Sequence, residues 1–138
     1  MSILLDSSAC IAGINGRPPA VIERLGRALA DRRSIHVPSI ALFELWYGIA
    51  KSRQVSRNTE LLRTFLIPLQ IADFDDEDSK IAGEIRATLE RAGTPIGPYD
   101  TLIAAQAVRR NFVLITANVG EFSRVKGLRW ENWAKNAV

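Results

Sequence analysis

The chain has one cysteine, Cys10, and one histidine, His36, among its 138 residues. A single thiol cannot close an internal disulfide, and one Cys with one His cannot assemble a zinc site of nitrogen and sulfur ligands. Any metal must therefore be held by oxygen. Long apolar runs are also lacking: stretches such as Ile40 to Phe43 and Leu102 to Ala105 fall far short of the roughly 20 residues that cross a bilayer. No membrane span is expected. The opening Met1-Ser2-Ile3-Leu4-Leu5-Asp6 has no basic stretch and meets an aspartate too early for a secretory leader, so the expected location is the cytoplasm. A strong excess of one charge is missing too. Its 18 basic and 15 acidic residues leave +3, too little for global charge to argue for nucleic acid. Arg32-Arg33, Arg109-Arg110 and the group Arg124, Lys126, Arg129 are candidates for phosphate contact, beside the ordinary reading of solvated surface. Repeats, low-complexity segments and linkers are absent. A hydrophobic content of 47% fills one core, so a single domain over residues 1–138 is expected.

What is present is an alternation of short apolar runs with one-faced helical patterns. Ile3-Leu4-Leu5 reads as a buried strand stopped by Asp6-Ser7-Ser8, where a helix starts. Val21, Ile22, Leu25 and Leu29 mark a helix opened by Pro19. Ile35-His36-Val37 is a second strand, and Ser39 is a candidate cap for a helix through Phe43, Glu44 and Trp46 towards Lys51. Leu61, Leu62, Phe65, Leu66 and Leu69 suggest another helix, and Ile71 to Phe74 a third strand. Asp76, Glu77 and Asp78 suit the positive end of a helix whose stripe ends at Gly93. After the loop Thr94-Pro95-Ile96-Gly97-Pro98-Tyr99, Asp100 opens an Ala-rich helix that Asn111 can end. Val113 to Thr116 is a fourth strand, followed by a turn over Ala117 to Gly120 and a last strand near Leu128 to Trp130. Continuous rather than alternating apolar strands predict a mostly parallel sheet of about five strands inside an α/β/α sandwich.

Ligands of such sheets bind at the carboxyl ends of the strands, where strand order reverses. Asp6, Asp100 and Asn118 all fall at that edge. Glu44 sits among Phe43, Leu45, Trp46 and Tyr47, with no lysine or arginine within one helical turn, so burying its charge calls for a metal or a distant cation. Two carboxylates about 4 Å apart repel by roughly 4 kcal/mol at an effective dielectric near 20. A hard divalent ion relieves that repulsion, suits oxygen ligands, and supports phosphodiester hydrolysis. Plainer readings stand beside this one. Asp6 and Asp100 can each cap a helix, Glu44 can pair with Arg86, and Asn118 can adopt a left-handed turn.

LLDSSAC resembles the first motif of PIN domains, and SIALFELWYGIAKS resembles the second, with its acid at Glu44. GTPIGPYDTLIAAQA is similar to the third motif of VapC and FitB-like toxins, with Asp100 as third acid. ITANVGEF resembles the fourth, with Thr116 and Asn118 in place. The resemblance implies a magnesium-dependent endoribonuclease toxin, manganese being a substitute, that is kept silent by a cognate VapB-like antitoxin. It implies that Asp6, Asp100 and Glu44 hold the metal, and that Ser8 and Thr116 are supporting hydroxyls. It further implies a homodimer and a larger toxin–antitoxin assembly, with the antitoxin in an apolar groove for which Trp46, Tyr47, Phe65 and Ile11 are candidates. Two departures stand out: Ser8 where Asn is commonest, and Asn118 where many members carry a fourth Asp. Asn118 puts a tightly held second metal in doubt, and Glu121 is a possible substitute. Two rivals are a catalytically inactive PIN fold that binds nucleic acid or protein, and phosphoryl transfer through an aspartyl-phosphate. The second wants an Asp where Ser8 stands.

Overall fold

This computed structural model describes residues 2–134. Five strands form one sheet in the order β3-β2-β1-β4-β5: β1 is Ile3–Leu5, β2 Ile35–Pro38, β3 Gln70–Ala72, β4 Val113–Ile115 and β5 Arg129–Glu131. Every neighbouring pair is parallel. Ile3, Leu4, Leu5, Leu114 and Ile115 are at most 2% exposed, which is why these runs read as continuously apolar: both faces of the central strands are covered by helices. Each such side chain stabilises the fold by about 1.5–3 kcal/mol. The outer strands β3 and β5 are largely exposed.

Helix α1 spans Ser7–Asn15, α2 Pro19–Ala30, α3 Ser39–Ala50 and α4 Val55–Leu66. Helix α5 spans Asp76–Arg91, α6 Pro98–Arg110 and α7 Val119–Phe122. Pro19 stands in the first turn of α2, and Asn111 closes α6 in the left-handed conformation at φ 59, as the sequence predicts. Helices α1 and α4 approach closely at Gly13, where an added Cβ would stand 2.6 Å from the Phe65 ring; this approach takes Phe65 inward. Cys10 is fully buried, and the His36 ring lies tilted against Phe112 with centroids 4.7 Å apart, so both pack as expected.

Three local expectations are corrected. Ser39 does not cap α3: Pro38 holds that position without a side-chain bond, and the Ser39 hydroxyl donates across to the Ala72 carbonyl at 3.3 Å. The residues after Ala117 do not simply turn. Asn118 sits at φ −88 and starts the short helix α7. Arg109 and Arg110 are committed to ion pairs with the start of α5. Arg109 meets Asp75, Glu77 and Asp78, and Arg110 meets Asp75 and Asp78. They lock the end of α6 to the start of α5.

Candidate active site

Strand order reverses between β1 and β4, the point where open parallel sheets leave a crevice. Asp6 follows β1 and Thr116 follows β4, and the Asp6 backbone N–H donates to the Ile115 carbonyl at 3.2 Å. Asp6 is also the cap of α1. Its Oδ1 accepts from the Ala9 N–H at 2.9 Å and from the Ser8 hydroxyl at 2.7 Å. Ser8 in turn accepts from the Ala117 N–H at 3.2 Å, so one hydroxyl ties the loops after both central strands together. Burial pushes the Asp6 carboxyl above its ordinary range, against the bonds from Thr116, Ser8 and Ala9 that favour the charge. The capping role is real, yet it leaves an acid 3% exposed with no arginine or lysine among the described residues shifting its charge.

Asp100 lies in the first turn of α6 but does not cap it; Gly97, which has no side chain to cap with, takes that position, and Pro98 follows. The carboxylate is therefore spent on its neighbours. Asn118 Nδ2 donates to Asp100 Oδ2 at 3.0 Å and to Glu121 Oε2 at 2.6 Å, and the Gly97 N–H donates to Glu121 Oε1 at 3.1 Å. Burial first, then a hydrogen bond and the charge of Glu121, then the charges of Asp6 and Glu44, raise Asp100 to about 7. Glu121 moves the other way, held down as the acceptor from Asp100 and Asn118. The two carboxyls are thus pushed apart in acidity, Asp100 being the one that holds its proton more readily. Thr116 is buried and its Oγ1 accepts from the Asn118 N–H at 2.9 Å, which orients the asparagine.

Glu44 faces this group from α3. Burial raises its pKa, the Ser7 hydroxyl bonding it acts in the opposite direction, and the charge of Asp6 raises it further. Its Oε1 is buried without a hydrogen-bond partner. Arg86 does not supply the missing cation, because it pairs with Glu90 on its own helix at 3.3 Å. The consecutive residues Ser7 and Ser8 thus serve different acids, Glu44 and Asp6. Ser7 and Gly97 were not legible as site residues; two adjacent hydroxyls at a helix start were the one signal for Ser7.

Among the described residues no three His, Cys, Asp or Glu side chains stand together as a ready-made metal cage. The donor set nevertheless fits a hard divalent cation. Every donor is oxygen, one buried carboxylate oxygen lacks a partner, and such ions keep several waters and need only one or two direct carboxylates. Beside Glu44 opens a groove of about 760 Å3 lined by Ile11, Phe43, Tyr47 and Tyr99 among others. Trp46 and Phe65 do not line it. Phe65 packs against the core, and Trp46 lies under the Arg63 guanidinium at 5.8 Å.

The PIN domain family matches residues 3–128 of this chain. The chain belongs to the PIN domain family. Among PIN relatives, the tRNA(fMet)-specific endonuclease VapC of Salmonella typhimurium is 38% identical, over 96% of this chain and 98% of that protein. Ribonuclease VapC2 of Rickettsia felis is 39% identical over 98% and 100%. The same PIN fold is found in the crystal structure of VapBC2 from Rickettsia felis bound to a DNA fragment from their promoter. A chain there matches with a TM-score of 0.90 at 37% identity, covering 96% of this chain and 99% of that one. The α/β/α sandwich expected from the strand pattern is thus the PIN fold, with its sheet wholly parallel.

Proposed function

We propose that this PIN protein is a metal-dependent endoribonuclease, the toxin of a VapBC-type pair, silenced by a cognate VapB-like antitoxin. The observation that carries the reading is kinship, nearly end to end, with ribonucleases named VapC. Asp6, Asp100 and Glu44 are the residues to hold magnesium, or manganese in its place. When bound, such an ion polarises the phosphodiester, lowers the pKa of an attacking water and offsets charge developing on the phosphoryl oxygens. The chain's own groups prepare the place. Ser8 and the Ala9 N–H fix Asp6 Oδ1. Asn118 holds Asp100 beside Glu121 by donating to both carboxylates, and Asp100 would supply one of the oxygens to hold the ion. Ser7 orients Glu44. The reaction hydrolyses one P–O bond in RNA: the oxygen of water joins phosphorus, the displaced ester oxygen leaves with a proton as a hydroxyl, and two RNA fragments result. Assembly with a DNA-binding antitoxin, and dimerisation of the PIN chain within that assembly, belong to the same reading.

The test uses the purified chain freed of its partner. RNA cleavage is expected with magnesium or manganese, and Asp6→Asn or Asp100→Asn is expected to lower it by about 100-fold or more. The folded state should persist, because Asn caps a helix about as well as Asp at position 6 and Asp100 caps nothing. Cleavage at the wild-type rate in either variant, with a retained circular dichroism melt, removes the mechanism.

A further inference from the structure

Resting on the ribonuclease reading above, we propose that Phe43 and Tyr99 form a stacking platform for a base of single-stranded RNA beside the scissile phosphate. The two rings meet edge to face, with centroids 5.6 Å apart and planes at 73°. They are nonetheless 50% and 46% exposed. Half-wetted aromatic rings gathered at the rim of a crevice mark an interaction surface. Their placement is specific to the site: Phe43 directly precedes Glu44 on α3, and Tyr99 directly precedes Asp100 on α6. Two segments more than fifty positions apart in sequence therefore deliver one ring each, one residue from an acid.

Both rings line the groove that also contains Ser7 and Glu44. Further along the same groove lies Lys51, its ammonium 4.7 Å from the centroid of the exposed Tyr47 ring. A strand of RNA lying here meets a π surface at the acid end and a cation for a neighbouring phosphate at the other. That pairing of aromatic rings with a positive charge is the chemistry by which single strands are held without a sequence code. Protein partners also dock on exposed rings; Lys51 in the same groove favours a strand that brings phosphates along with its bases. A base needs flat side chains, and it needs them where the backbone is to be cut.

The experiment takes an RNA whose cleavage point has been mapped, together with versions carrying an abasic nucleotide on either side of that point. Wild type, Phe43→Leu and Tyr99→Leu are compared; leucine keeps apolar bulk while removing the π face. Loss of a stacked base or of its platform is expected to raise KM about 5- to 100-fold with kcat within a few-fold of wild type. The abasic nucleotide should penalise wild type strongly and Tyr99→Leu little. Variants that cleave like wild type, or an abasic penalty of equal size in variant and wild type, overturn the platform. Variants that cleave normally but escape inhibition by a protein partner assign the rings to a protein contact and also overturn it. Absence of cleavage of any intact RNA by wild type is a different failure: it removes the ribonuclease reading, and the platform falls with it.

Discussion

Helix α6 has a cluster of acids at each end, and the two clusters are settled in opposite ways. At its C-terminal end Asp78 is fully buried, but Arg109 and Arg110 bond its two oxygens at 2.6 and 2.8 Å. Burial alone would push that carboxyl up; Arg109, the Asp75 N–H and Arg110 together hold it below the ordinary range. At the N-terminal end Asp100 has acids for neighbours and an asparagine amide between them. It is raised to about 7. What separates them is the counter-charge bonded to each acid: two arginines bond Asp78, whereas Asp100 is bonded by a neutral amide and Arg124 reaches Glu121 only through its charge. A balanced cluster fastens helices, and an unbalanced one leaves a carboxyl poised near neutrality.

The largest effect that would break this contrast is on the fastened end. Arg109→Met combined with Arg110→Met strands the buried Asp78 carboxylate, and the expected cost is about 3 kcal/mol of unfolding free energy, read from urea denaturation. A loss well under 1 kcal/mol would show that the end is not fastened by charge. Next comes the poised end. Magnesium at a hundredfold excess over its Kd should stabilise wild type by about 2.7 kcal/mol and Asp100→Asn by clearly less. Equal rises in Tm would count against cation binding at Asp100. The smallest effect is a difference in pH profile. Asp78 is lowered, so its contribution to stability is present at neutrality and is lost as pH falls below the ordinary carboxylate range. Asp100 is raised, so its contribution is present in acid and is lost as pH climbs from about 4 towards about 7. Without metal, Asp100→Asn should flatten the Tm profile between those values and leave the acid limb intact; a wild-type slope in the variant would assign the titration elsewhere.

The same contrast explains what could be read in the sequence. Strands such as Ile3 to Leu5 and Val113 to Ile115 announced themselves because a fully covered parallel strand is apolar at every position. Asp6 and Asp100 were legible because the rule of the carboxyl edge and the motifs around them agreed. Glu44 was legible because no cation lies near it along its helix, and the unpartnered Oε1 is the structural form of that observation. Arg109 and Arg110 misled. Their partners lie more than thirty residues earlier in the chain, and local spacing carries no trace of pairing at that range. Asn118 was ambiguous for the same reason: its bond to Asp100 is long-range, whereas an isolated Asn before Val-Gly suggests only a turn. The four residues of α7 are too few to show a helical period at all.

The pairing of β1 with β4 sets Ile3 opposite Val113, so on that side the first strand waits beside an empty neighbour until β4 has been made. Asp6 leaves the ribosome well before Asp100, Thr116 and Glu121 do. An unfinished chain therefore has no assembled centre. Whatever this protein cuts is out of its reach during synthesis, and a partner that binds co-translationally has until the final strands emerge to arrive first.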